Sequence, residues 1–61
     1  MFYAIIEESD RVLVMSFHSE QARFEFMCRP GNDNVKEVTE SNQYVQKALR
    51  AKMNLPAVVS K

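Results

Sequence analysis

Two apolar runs open the chain. Phe2-Tyr3-Ala4-Ile5-Ile6-Glu7 and Arg11-Val12-Leu13-Val14-Met15-Ser16-Phe17 are rich in β-branched and aromatic residues and flank the polar joint Glu8-Ser9-Asp10. That arrangement predicts an antiparallel hairpin. Ile5-Ile6 and Val12-Leu13-Val14-Met15 are apolar at consecutive positions. Neighbouring strand residues point to opposite faces, so the second face is expected to meet a helix, the tail or another subunit.

After Phe17 the alternation stops. Ser19 is suited to cap a helix, because its hydroxyl accepts from a free backbone N–H of the first turn. Glu20 follows, where an acid favours the positive end of the helix dipole. A helix is predicted from Glu20 to Arg29, closed by Pro30-Gly31. Ala22 and Phe26 share one face of it with Met27 at the flank, while Phe24 and Cys28 lie on the other side. A rival reading exists, since Arg23-Phe24-Glu25-Phe26 alternates polar with aromatic, which is strand periodicity. On that reading the hairpin grows into a meander.

Gly31 to Asn34 is a loop by composition. Val35-Lys36-Glu37-Val38-Thr39 is a short strand by its β-branched residues, although Asn34 and Glu37 also suit a capping box. The clearest helix runs from Asn42 to Met53. Val45, Leu49 and Met53 recur every four residues with Ala48 between them. Gln43, Lys47, Arg50 and Asn54 gather on the opposite face. Lys52 falls within the apolar arc and would have to snorkel. Thr39 or Ser41 can cap the start, and Asn54-Leu55-Pro56 ends the helix.

These elements predict a small two-layer α+β domain, β-β-α-β-α, over residues 1–55, with 56–61 as a C-terminal tail that frays or docks through Val58-Val59. Its short, mostly antiparallel three-stranded sheet has order 2-1-3, because a crossover from the second strand sets the third beside the first. Both helices pack on one face. The alternative is a β-meander followed by one C-terminal helix.

Composition narrows the function classes. With 61 residues, 46% hydrophobic and 26% charged, the chain is one folded unit rather than a disordered tail. A domain this short buries only about 60% of the surface that its unfolded chain exposes. One cysteine, Cys28, and one histidine, His18, supply neither an internal disulfide nor a structural zinc site. Packing or self-association is left as the stabiliser. The lone thiol fits a reducing compartment, and Met1 to Glu8 lacks a signal peptide's basic start. No stretch has the length to span a bilayer. A cytoplasmic location is expected, with no membrane partner.

Charge is balanced at eight bases and eight acids, but residues 1–30 carry five acids and three bases, and residues 31–61 three acids and five bases. Lys47, Arg50 and Lys52 form a short basic group that could touch phosphates, with far less charge than a dedicated phosphate grip shows. Gly31 is the only glycine, too few for a phosphate-cradling loop. Glu7 and Glu8 diverge on a strand, and no third group orients His18 toward Cys28 as base and nucleophile. No catalytic, cofactor or metal site is predicted.

The leading expectation is therefore a non-enzymatic protein-interaction module or accessory or inhibitory factor, of the size that phages and plasmids carry. It would bind itself or another protein through an open sheet face or edge, anchored by the hairpin's apolar residues and by Phe24, with Cys28 beside it. The alternative is a weak nucleic-acid binder that uses Lys47, Arg50 and Lys52. No small-molecule substrate is expected.

Overall fold

The computed structural model describes residues 1–61 and contains six elements: β1 (Phe2–Glu7), β2 (Arg11–Phe17), α1 (Glu20–Met27), β3 (Val35–Val38), α2 (Gln43–Arg50) and β4 (Ala57–Ser60). One open antiparallel sheet has the order β3-β1-β2-β4. The hairpin forms as its pattern requires, paired from Phe2↔Phe17 to Glu7↔Val12. Its turn is closed by the Glu8 N–H on the Arg11 carbonyl at 2.8 Å and by Arg11 Nε on the Glu8 carboxylate at 2.7 Å.

Residues 20–27 are helical, which excludes the meander. Ser19 caps α1, its hydroxyl accepting from Ala22 N at 3.0 Å. The helix stops two residues earlier than expected. Asn32 Nδ2 donates to the Phe26 carbonyl at 2.7 Å and so takes over one of the carbonyls that a helix end leaves free. Gly31 then turns the chain at φ +87°, a conformation that glycine adopts without Cβ strain.

β3 lands beside β1, antiparallel to it, with Tyr3↔Val38 and Ile6↔Val35 in register. Three of the four strands thus stand in the expected order. The fourth, β4, lies in the expected tail. It pairs with β2 from Arg11↔Ser60 to Val14↔Ala57, burying Ala57 and Val59 while Val58 and Ser60 stay exposed.

The helices do not share a face. Tyr3, Ile5, Val12, Val14 and Val59 pack with Val45 and Ala48 of α2. Ala4, Met15 and Val35 pack on the other side, joined by Ile6, Leu13, Phe17 and the α1 residues Phe26 and Met27. The sheet is the middle of three layers rather than half of two. Two causes act together. The handedness rule binds only the parallel β2-α1-β3 crossover; β4 runs antiparallel to β3, so α2 can take either face. In addition, β1 and β2 are apolar on both sides. Stacking two eight-residue helices on one side would leave Ala4, Ile6, Leu13, Met15 and Phe17 facing water.

α2 is shorter than its periodicity suggests. Its cap is neither Thr39 nor Ser41, whose hydroxyls bond each other at 2.8 Å. Asn42 does the work, its Oδ1 accepting from Tyr44 N at 2.9 Å and Val45 N at 3.3 Å. At the other end Lys52 N–H bonds the Leu49 carbonyl and Met53 N–H the Ala48 carbonyl, the paired bonds of a Schellman end. Lys52 occupies the left-handed position at φ +55°. It is outside the helix, so it has no apolar arc to snorkel from. Of the expected apolar stripe, Val45 and Ala48 are buried, while Leu49 and Met53 reach solvent.

Candidate functional site

The buried face of α1 is Arg23, Phe26 and Met27, rotated from the expected Ala22–Phe26 side; Ala22 is exposed. Arg23 is the one charged side chain inside the molecule, 7% exposed. Its Nη1 donates to the Tyr3 carbonyl at 3.1 Å and the Val38 carbonyl at 3.2 Å. Tyr3 and Val38 are register partners, so one guanidinium ties α1 to β1 and β3 at the same rung. Nη2 meets the Glu37 carboxylate at 3.4 Å, and the guanidinium carbon lies 5.5 Å from the Phe2 ring centre, within cation–π range. A charge set three and four positions before Phe26 and Met27 was visible in the sequence. What it would meet was not.

Phe24 on α1 and Cys28 at its C-cap are both exposed, one turn apart. Phe24 is 65% exposed and stands in a shallow depression with Glu20, Gln21 and Glu37. Next to it an open cleft of about 380 Å³ is lined by Met1, Phe2, Glu20, Arg23, Glu37 and Glu40, among others. An exposed ring beside carboxylates suits an apolar partner surface edged with bases. His18 and Cys28 lie at opposite ends of α1, whose eight residues span about 12 Å. They are out of each other's reach.

The basic group is divided. Lys47 and Arg50 line one shallow face of α2 with Gln43 and Gln46, and Lys52 lies beyond the helix end. Arg11, Arg23, Lys36 and Lys61 have carboxylate partners; Lys47, Arg50 and Lys52 have none. Lys47 is held elsewhere, its Nζ donating to the Ser60 carbonyl at 2.7 Å and lying 3.3 Å from the Ser60 hydroxyl.

That contact leads to the sheet edges. Lys61 N–H bonds the Asp10 carbonyl, and in an antiparallel ladder the bonded pairs alternate. Residues 57, 59 and 61 therefore turn their backbone groups to β2, and Val58 and Ser60 turn theirs outward. Lys47 satisfies the outward carbonyl of Ser60, leaving Val58 N–H, Val58 C=O and Ser60 N–H free. Val58 is 50% exposed. Beside it a shallow groove of about 240 Å³ runs between β4 and the end of α2, lined by Ala51, Met53, Val58 and Val59 together with Lys47 and Ser60. The other edge differs: the middle residues of β3 are Lys36 and Glu37, both exposed. Charges of this kind discourage pairing at an open edge.

The open sheet face expected for the hairpin is covered on both sides, by α1 and by α2. What remains open are the two sheet edges, β3 with its charged middle and β4 without one, and the Phe24 surface. No group of three or more His, Cys, Asp or Glu side chains is placed to hold a metal ion, and no helix is long and apolar enough to cross a membrane. No protein-family model, curated protein or solved structure matches the chain.

Proposed function

We propose that this chain is a small non-enzymatic protein-interaction module that binds another polypeptide along β4. The observation that carries the reading is the contrast between the edges. The middle of β3 presents Lys36 and Glu37, whereas β4 has no charged residue of its own. It leaves three backbone groups free beside a mainly apolar groove, with the one charge there, Lys47, held on the Ser60 carbonyl. Strand addition at such an edge gains affinity from main-chain bonds and selectivity from side-chain pockets. Phe24 is the second anchor in this reading, on the solvent side of α1 and well away from β4.

A photoreactive phenylalanine at position 58, expressed in the native host, tests this. Discrete protein adducts are expected from position 58, lost on Met53→Asp, and none from position 36 on the opposite edge. Equal labelling from both edges refutes the reading.

Weak nucleic-acid binding is the second reading. Three bases without carboxylate partners, Lys47, Arg50 and Lys52, lie on or just past α2. It predicts amide shifts at those residues on adding mixed-sequence DNA at low salt, vanishing as salt rises. A well-dispersed spectrum that does not move removes it.

A further inference from the structure

We infer that the occupant of the β4 edge is a second copy of this chain, paired antiparallel about a two-fold axis at Val58 to give a continuous eight-stranded sheet. This rests on the interaction-module reading and names its partner.

The free groups select the register. With Val58 opposite its own copy, the two Val58 residues exchange N–H···O=C bonds. Two positions along, Ser60 faces Pro56 of the second copy. Proline offers a carbonyl for the free Ser60 N–H but has no N–H of its own. The Ser60 carbonyl thus meets no donor across the axis, and Lys47 Nζ already occupies it at 2.7 Å. Shifting the pairing to set Val58 against Ser60 would aim the copy's Val58 N–H at that occupied carbonyl. The groups left open by the monomer are the groups this dimer uses.

Side chains agree. Val58 packs on its copy, and Ala57 lies opposite Val59, so no like charges face each other. The two Ser60–Lys47 contacts stand four residues apart along the ladder, about 13 Å, beyond the screening distance of about 8 Å. The axis is perpendicular to the sheet, so both α2 helices lie on the same face, each beside its groove with Met53. The chain's formal charge is zero, so whole-molecule repulsion is absent. Its core is small, with 12 of 61 residues buried, the situation in which association adds most. The shared strand is four residues long, which places the interface at the small, weak end of the range.

Sedimentation equilibrium from about 10 to about 500 µM spans the affinities such an interface gives. The mass is expected to double across this range, with the Val58 and Ser60 amides gaining protection from exchange as concentration rises. Val58→Lys, at a half-exposed position, is expected to keep the monomer's circular dichroism and melting temperature and to abolish the mass increase. In a Cys28→Ser background, Val58→Cys is expected to form a disulfide-linked dimer on mild oxidation, because directly paired strand residues come within bridging range, whereas Lys36→Cys is not. A purified chain that stays monomeric throughout overturns the inference, as does a dimer indifferent to Val58→Lys. If the chain is monomeric while position 58 still labels other proteins in the host, only the self-pairing fails. If position 58 labels nothing, the module reading falls as well.

Discussion

Replacing Arg23 by methionine removes the guanidinium and keeps most of its apolar stem against the sheet. Two bonds go, to the Tyr3 and Val38 carbonyls. Hydrogen bonds from a charged donor contribute about 1.5–3 kcal/mol each, so their combined loss is bounded at about 3–6 kcal/mol. Two effects offset it. The folded state no longer carries a desolvated charge, a recovery that makes some buried ion replacements neutral. Tyr3 and Val38 also line the open cleft, so water can reach the freed carbonyls. The expected net cost is about 2–3 kcal/mol. A chain of this length has a total stability of about 3–9 kcal/mol, so the loss is a large fraction of the whole. Urea unfolding followed by circular dichroism should show a midpoint lower by about 2–3 M, taking a slope of about 1 kcal/mol per molar. The control is Glu37→Gln. That carboxylate is 64% exposed at 3.4 Å from Nη2, and such a pair contributes no more than about 1 kcal/mol. The Arg23→Met loss should persist almost unchanged in the Glu37→Gln background. A variant within about 0.5 kcal/mol of the parent would falsify the claim that Arg23 holds the β1–β3 rung through its carbonyls, since differences of that size are ordinary surface noise.

Two further substitutions probe the ends of α2. Lys52→Gly should stabilise the chain by about 0.5–1 kcal/mol, because glycine relieves the left-handed strain at φ +55°; a melting temperature that falls instead of rising by a few degrees would contradict the assigned helix end. Asn42→Ala should cost about 1 kcal/mol, since Oδ1 accepts two N–H groups of the first turn. Thr39→Ala and Ser41→Ala should each cost less by the same unfolding measurement, and equal losses at all three would mean the cap is shared.

Local signals along the chain determined most elements. The hairpin follows from two β-rich runs around a polar joint, α1 from Ser19 and Glu20, β3 from its valines, and α2 from a four-residue apolar repeat. Each rests on interactions within a few residues, so each is legible without knowing the fold. Even the order of the first three strands followed, because crossover geometry leaves few places for β3. The exposure of Phe24 and Cys28 was likewise implied once α1 was taken as a helix.

Tertiary structure decided what depends on distant partners. β4 has four residues behind a proline, and its place in the sheet comes from pairing with β2, some 45 residues earlier in register. Strand preference is largely a response to such neighbours, so Val58-Val59 alone could announce only a docking tail. The faces taken by α1 and α2 were set by the need to cover a hairpin that is apolar on both sides, a demand felt only when the sheet is assembled. Arg23 became buried because two strand carbonyls waited within its reach. Those same long-range choices left the β4 edge open, and so the surface proposed for binding belongs to the assembled sheet and to no single stretch of the chain.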